Sequence, residues 1–229
     1  MTLKLAIWDM DGTIIDSREV IQTAMERAFG ALSLAPPTYE QTRQTIGLPL
    51  DEVCRRLMPE GTDLAILPDL VKTYSQAFVA RRAEPGFVEP LYDGAIPALD
   101  ALRADDWLIG LATGKSRRGI DAIFEMHGLS DYFDTIWCSD DGPGKPHPFM
   151  VEEAMKAVGA EPHQSLMIGD AVFDMQMGRA ANVECHGVCW GFGTAEELTT
   201  AGAHQVHHGF ETLSGALDTF SKVTSQHGN

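Results

Sequence analysis

The stretch Trp8-Asp9-Met10-Asp11-Gly12-Thr13 begins at the last residue of an apolar run, residues 3–8, that is long enough for one buried parallel strand. Two carboxylates therefore lie where a strand ends and a loop begins. Residues two apart on an extended segment point to the same side, so Asp9 and Asp11 can face the same reactant. Gly12 has no side chain and allows the backbone to come close to a ligand.

Three further polar motifs follow predicted strands in the same way. Thr113-Gly114-Lys115 follows strand 107–112, Gly144-Lys145-Pro146 lies after strand 135–138, and Gly169-Asp170 follows strand 165–168. In an open α/β sheet, the ligand site lies outside the carboxyl ends of the strands. The four motifs are therefore expected to converge on one site.

The hydrophobic pattern divides the chain into two kinds of segment. From residue 95 onward, predicted helices and strands alternate, which is typical of an α/β fold with a mostly parallel sheet and right-handed crossovers. Residues 16–90 contain helical patterns only. Helices are predicted at 16–29, ending at Gly30, and at 38–46, 50–57 and 63–82.

A gap as long as 16–90 is far beyond an ordinary strand–helix loop. We therefore expect an α/β core domain, residues 1–15 and 91–229, interrupted by an all-helical cap domain, residues 16–90. The insertion comes directly after the aspartate pair, so the cap is expected to lie over that pair as a lid. The tail, residues 224–229, is expected to be frayed.

Composition limits the possible partners and the compartment. The 229 residues carry a net charge of −16, which argues against nucleic-acid and anionic-membrane surfaces. No apolar run approaches the length of a membrane span, and no signal segment precedes the first strand, so a cytoplasmic protein is expected. The cysteines include no CxxC pair, which favours free thiols. An anionic substrate would need local positive charge or a bound cation.

The carboxylates suit phosphoryl transfer. Asp9 can attack phosphorus as a nucleophile, and Asp11 can protonate the leaving oxygen and later activate water. Asp170 adds a third carboxylate, and oxygen ligands of this kind suit Mg²⁺. Asp174 lies one helical turn further on the same face. It could bind the metal through water or orient a lysine, or it could simply satisfy the helix dipole.

Several other residues could bind an anionic substrate. The Thr113 hydroxyl and the Gly114 backbone could hold a phosphoryl oxygen, although Thr113 could also act only as a helix cap. Lys145 could offset charge that develops on the phosphoryl group, and Lys115 could contact the substrate. Arg43 and Thr45 flank a predicted turn between cap helices that could reach down to the site, so both are candidate substrate-binding residues.

With these motifs in order, the chain resembles the haloacid dehalogenase-like hydrolase superfamily. The resemblance rests on Asp9 to Thr13, on Thr113 and Lys145, and on Gly169-Asp170 with Asp174. The residues 112–116 and the helical insert are similar to the branch of phosphoglycolate phosphatase and β-phosphoglucomutase.

This resemblance implies a Rossmann-like core with a central first strand and a helical cap that closes over the site. It implies Asp9 as nucleophile and Asp11 as acid/base. It also implies Mg²⁺ held by Asp9, the backbone carbonyl of Asp11, and Asp170, with the phosphoryl group held by Thr113 and Lys145. Phosphonate-cleaving relatives use a cap lysine, and Lys72 is the only lysine in the predicted cap, so that chemistry is not expected.

The expected function is therefore Mg²⁺-dependent hydrolysis of a small phosphate ester, phosphoglycolate-like or a sugar phosphate, through an aspartyl phosphate. Two alternatives remain open. A phosphomutase would use the same residues but return the phosphoryl group to a sugar. A phospho-accepting signalling receiver also clusters aspartates, a hydroxyl and a lysine on a parallel sheet, although the helical insert speaks against it.

Overall fold

The computed structural model describes residues 3–227 and contains a parallel sheet of six strands, in the order β3-β2-β1-β4-β5-β6. The strands are β1 (Leu5–Trp8), β2 (Leu108–Thr113), β3 (Thr135–Cys138), β4 (Ser165–Gly169), β5 (Glu184–Val188) and β6 (Gln205–His207). Every neighbouring pair is parallel. The predicted α/β class and central first strand are confirmed.

The helices are α1 (Arg18–Ala31), α2 (Tyr39–Arg43), α3 (Leu50–Leu57), α4 (Leu67–Arg82), α5 (Ala95–Ala104), α6 (Arg117–His127), α7 (Phe149–Val158), α8 (Val172–Ala180), α9 (Ala195–Thr200) and α10 (Phe210–His227). Short 3-10 helices cover Leu64–Ile66 and Pro162–Gln164. None of the helices described within residues 3–227 is long and apolar enough to cross a membrane. All four cysteines are free thiols, as expected.

Strand β1 is central because both of its faces are apolar. Its side chains alternate between two hydrophobic clusters: Ala6 and Trp8 pack on one face, and Leu5 and Ile7 on the other. The strand pairs with β2 on one side and with β4 on the other. Asp9, the next residue, therefore emerges at the carboxyl edge in the middle of the sheet.

Helices α1, α3 and α4 pack on one another, and α2 contacts α3. The apolar cluster of α1, α3 and α4 includes Met25, Phe29, Val53 and Leu70. The chain enters and leaves this unit through two adjacent segments, since the Asp16 backbone NH donates to the Pro90 carbonyl at 2.8 Å and the Tyr92 NH donates to the Ile14 carbonyl at 3.0 Å. We propose that this pairing marks the boundary between the core, residues 1–15 and 91–229, and the cap, residues 16–90.

Helix ends in the cap differ from the predictions. Helix α1 continues through Gly30 to Ala31, because a glycine is tolerated inside a helix at a cost of about 1 kcal/mol. Helix α2 is shorter than 38–46: Thr38 caps its start, and it ends at Arg43. The segment 63–82 begins with the 3-10 turn, and the α-helix starts only at Leu67.

The described part of the tail, residues 224–227, is helical, and its predicted fraying stays a prediction. Helix α10 extends to His227, and residues 228–229 lie outside the described part of the chain. Leu217 and Phe220 pack in the core, and Thr224 is also buried one turn later. This burial holds helix α10 against the core as far as Thr224.

Candidate active site

A buried lysine joins two of the predicted carboxylates. Lys145 Nζ lies 2.7 Å from Asp9 Oδ1 and 2.6 Å from Asp174 Oδ1. Lys145 is 1% exposed and Asp9 is 2% exposed. Burial by itself lowers the pKa of Lys145, but the charges of Asp174 and Asp9 outweigh it and hold that pKa above its usual value. The ammonium group is therefore a fixed positive charge beside Asp9.

Asp174 has a structural role as well. Its Oδ2 accepts a hydrogen bond from the Ala171 backbone NH at 2.9 Å, at the start of α8, while its Oδ1 faces Lys145. The two alternatives from the sequence, satisfying the helix start and orienting a lysine, thus hold together in one side chain.

Asp170 is held by the loops on either side of it. The Thr13 hydroxyl donates to its Oδ1 at 2.8 Å, and the Phe192 backbone NH donates to its Oδ2 at 2.7 Å. Gly12 has a φ of +85°, and a Cβ there would lie 2.2 Å from Asp170 Oδ2. The structure thus shows Gly12 packing against Asp170, and its predicted contact with substrate stays a prediction.

Sequence reasoning missed the loop that fixes Asp170 from the far side. A Cβ on Gly191 would lie 2.2 Å from Asp170 Oδ2, and a Cβ on Gly193 would lie 2.3 Å from the Asp170 carbonyl oxygen. Both positions therefore require glycine. The signal was available, because Gly191-Phe192-Gly193 comes shortly after strand β5.

Three buried carboxylates could hold a metal ion. Single oxygen atoms of Asp9, Asp170 and Asp174 all lie within 4.8 Å of one another. Burial raises the pKa of Asp9 to about 7, against the lowering effect of Lys145, and burial with the charges of Asp174 and Asp9 raises the pKa of Asp170 well above its usual value. A divalent cation would relieve this repulsion, and an all-oxygen donor set fits Mg²⁺.

The Asp11 carboxylate is not part of this group of three and pairs with a lysine. Its Oδ1 lies 2.9 Å from Lys115 Nζ. The resemblance assigned a backbone carbonyl, not this carboxylate, to the metal, and that assignment stays a prediction. The observed ion pair leaves the Asp11 carboxylate at the cavity, two residues from Asp9, where an acid/base group is expected.

The threonine, glycine and lysine after β2 lie beside this pair. Thr113 is fully buried, and its hydroxyl accepts a hydrogen bond from the Lys115 backbone NH at 3.2 Å. Helix α6 is capped by Ser116, whose hydroxyl accepts from the Gly119 NH, so Thr113 is not the cap of this helix. A Cβ on Gly114 would lie 3.3 Å from the Gly47 carbonyl, which shows how closely the cap turn approaches the core.

A cavity of about 700 Å³ separates the cap from this part of the core. Its core side includes Asp9, Asp11, Thr113, Gly114 and Lys115. The structure therefore brings these five predicted site residues to one space. Lys145, Asp170 and Asp174 are buried close to Asp9 and are not among the lining residues.

Arg43 and Thr45 are not among the residues that line this cavity. Arg43 pairs with Glu40 at 2.6 Å and with Glu197 at 2.9 Å, and Thr45 donates to the Thr42 carbonyl at 2.8 Å. Their predicted contact with substrate therefore gains no support from their position. The direction of a side chain on a short helix and its turn could not be read from the sequence.

Helix α4 supplies cavity residues that sequence reasoning did not assign to the site. Tyr74, Phe78 and Arg82 line the cavity, and Arg82 pairs at 2.6 Å with Glu89, which is 1% exposed. The apolar residues Leu67, Val71, Tyr74 and Phe78 recur at helical spacing, which predicted this helix. That spacing indicated burial but not that the helix face borders a ligand cavity.

Residues 6–188 match the family described as haloacid dehalogenase-like hydrolase. The chain belongs to this family. A probable phosphatase, IndB, of Dickeya dadantii is 31% identical over 225 residues, covering 96% of each chain. A phosphoglycolate phosphatase of Pseudomonas putida is 30% identical over 191 residues, covering 82% of this chain and 70% of its own.

Other relatives agree with this assignment. The pyrophosphatase PpaX of Bacillus pumilus is 26% identical, with 86% of this chain and 88% of its own covered. The crystal structure of a hydrolase from Pseudomonas syringae superposes with a TM-score of 0.83 at 25% identity, covering 94% of this chain and 98% of its own. The chain is an enzyme of the phosphatase kind within the haloacid dehalogenase-like family.

Proposed function

We propose that this enzyme hydrolyses a small phosphomonoester in a Mg²⁺-dependent reaction through an aspartyl phosphate on Asp9. The observation that carries the proposal is the position of Asp9. It lies at the carboxyl end of the central strand, lines the cavity, and contacts the buried ammonium of Lys145 at 2.7 Å. A carboxylate beside a fixed positive charge at a ligand cavity suits attack on an anionic phosphoryl group.

In the first step, an Asp9 carboxylate oxygen forms a bond to phosphorus as the bond from phosphorus to the alcohol oxygen breaks. Asp11 gives its proton to that leaving oxygen, so a neutral alcohol departs. In the second step, Asp11 takes a proton from water as the water oxygen attacks phosphorus. The acyl phosphate bond then breaks, which releases phosphate and regenerates the Asp9 carboxylate.

The other site residues position the reacting groups and neutralise their charge. Lys145 and the Thr113–Gly114 segment bind phosphoryl oxygens, and Lys115 holds the Asp11 carboxylate at 2.9 Å. Asp9, Asp170 and the backbone of Asp11 would hold Mg²⁺, with Asp174 nearby. When bound, the ion supplies positive charge that offsets the repulsion between these carboxylates and the phosphate.

Relatives named as phosphatases support hydrolysis over the two alternatives from the sequence. A phosphomutase would require a sugar bisphosphate for turnover, and a signalling receiver would keep its phosphoryl group. Release of phosphate over many turnovers without any bisphosphate distinguishes hydrolysis from both.

The test is a phosphate-release screen over small phosphate esters with Mg²⁺. We expect turnover by the wild type, loss of turnover in chelator with recovery on adding Mg²⁺, and no turnover by Asp9→Asn. The amide is close in shape to the carboxylate, so the variant should fold. Near-wild-type turnover by Asp9→Asn, or full activity in exhaustive chelator, contradicts the proposal.

A further inference from the structure

The cap side of the cavity is mostly apolar. Its wall is formed by aliphatic and aromatic side chains from α1, the turn after α2, α3 and α4: Ile21, Met25, Ile46, Leu48, Leu50, Val53, Tyr74, Phe78 and Val79. Polar lining residues come mainly from the opposite, core side, and the cap side adds Ser75 and Arg82. The cavity thus has one end suited to a phosphate and one end suited to an apolar group.

Of the three cations among the described cavity residues, two are paired with a carboxylate. Among the cavity residues in the described chain, the cations are Arg82, Lys115 and Arg118. Arg82 is paired with the buried Glu89, and Lys115 is paired with Asp11. Arg118 is exposed, on α6 of the core. No unpaired cation therefore lies on the cap wall.

A second anionic group on the substrate would meet this wall unfavourably. Moving a carboxylate or a phosphate from water against apolar side chains is costly unless a counter-charge receives it. Phosphoglycolate and pyrophosphate, which two of the relatives are named for, both carry such a group. This chain lacks an evident place for it at the cap end.

The volume of the cavity also favours a substrate with an apolar group. A cavity of about 700 Å³ lies within the range that holds molecules of drug size. A phosphate on a two-carbon acid would leave most of this space to water in contact with apolar side chains. A larger apolar group would displace that water and gain burial.

We propose that the substrate is a phosphomonoester whose alcohol part is uncharged, largely apolar and at least the size of a six-membered ring. This inference rests on the proposed phosphatase function and specifies its substrate class. The phosphate binds at Asp9, and the apolar part lies between α1 and α4 with Tyr74 and Phe78 along its side.

The test compares three primary-alcohol esters, so that the leaving oxygens are chemically similar: 2-phenylethyl phosphate, ethyl phosphate and phosphoglycolate. The phenyl ring of 2-phenylethyl phosphate would be buried against the cap wall, and ethyl phosphate has no such group. We therefore expect kcat/KM for 2-phenylethyl phosphate to exceed that for ethyl phosphate by about 10- to 100-fold. We expect phosphoglycolate to be no better than ethyl phosphate.

A variant makes the charge argument testable. Val79 lines the cavity and is 43% exposed, so Val79→Lys adds a cation at the wall with little loss of buried surface. It should raise kcat/KM for phosphoglycolate relative to ethyl phosphate by about two- to fivefold, the range of a partly exposed ion pair. Leu64→Lys, at a 63% exposed position outside the cavity, is the matched control and should leave this ratio unchanged.

The outcomes separate the two levels of the argument. Higher kcat/KM for phosphoglycolate than for 2-phenylethyl phosphate in the wild type overturns the substrate class but leaves the phosphatase function standing. An unchanged ratio in Val79→Lys also overturns the charge argument. Absence of phosphate release from all three esters and from the wider screen contradicts the proposed function itself, and this inference with it.

Discussion

The contact between Arg43 and Glu197 predicts a specific effect on cap closure. Arg43 lies in the proposed cap and Glu197 in core helix α9. Arg43 Nη1 lies 2.9 Å from Glu197 Oε2 and Nη2 lies 3.1 Å from Oε1, and Nη1 also donates to the Phe192 carbonyl at 3.1 Å. This bidentate pair holds the cap next to the 191–193 loop, which contacts Asp170. We predict that Glu197→Gln favours the open cap.

The magnitude follows from the geometry and the exposure of the pair. The Arg43 hydrogen bond is the main cause that lowers the pKa of Glu197 to about 2, so Glu197 is charged at neutral pH. The side chains are 15% and 32% exposed, which places the pair between a surface and a buried ion pair. We expect its loss to cost about 1 kcal/mol, or about fivefold in the closed–open equilibrium.

The assay is kcat/KM for several phosphate esters. Glu197→Gln should lower it by up to about fivefold, by the same factor for each ester, because closure precedes any contact with the alcohol part. Glutamine can keep the hydrogen bonds that cap α9 with Thr194, so the helix should remain intact. Glu40→Gln, which alters contacts with Arg43 and Gln44 that lie within the cap, is the matched control and should change kcat/KM less than twofold.

Equal losses in Glu197→Gln and Glu40→Gln would refute this reasoning. A second outcome concerns the original prediction for Arg43. Arg43→Gln could change the order of kcat/KM among the esters and not lower all values by one common factor. In that case Arg43 would bind substrate, and the contact with Glu197 would be secondary.

Two further predictions follow from buried charges. Lys145→Met leaves Asp9 and Asp174 without their cation, so in chelator it should lower the free energy of unfolding by about 3–5 kcal/mol in urea titrations. Lys156→Met, whose side chain is 76% exposed, should change it by less than about 0.5 kcal/mol, and equal effects would contradict the argument. Burial, with the charges of His186 and His208, lowers the pKa of His207 to about 4 from 6.5. His207 therefore binds a proton more readily in the unfolded chain than in the folded one. The free energy of unfolding should fall by up to roughly 3 kcal/mol as pH drops from 6.5 to 4. His207→Asn should flatten this dependence, and an unchanged slope would show that other groups cause it.

Much of the fold was predictable because its signals are local. The apolar run before Asp9, the alternation of helices and strands after residue 95, and the all-helical gap between them required only periodicity and loop-length arguments. The convergence of Asp9, Thr113, Lys145 and Asp170 followed from topology, since the carboxyl ends of parallel strands share one edge.

The features that were not predicted depend on contacts between distant segments. Arg43 pairs with Glu197, 154 positions away in the sequence, and no local pattern indicates that partner. Gly191 and Gly193 are needed only because Asp170 lies against them. The predicted end of α1 at Gly30 was wrong. The cost of an exposed glycine inside a helix is smaller than the stabilisation that α1 gains from packing on its neighbours.

The most direct test of the proposed mechanism is to identify the phosphorylated residue. The enzyme is quenched during steady-state turnover of a phosphate ester with Mg²⁺, and the acyl phosphate is reduced with borohydride, which converts a phosphorylated aspartate into homoserine. Peptide mass spectrometry then locates the change. The proposed mechanism predicts homoserine at position 9 in the wild type, dependent on substrate, and no change in Asp9→Asn. Homoserine at position 11, or a fully active enzyme with no reducible residue at any point of turnover, would contradict it.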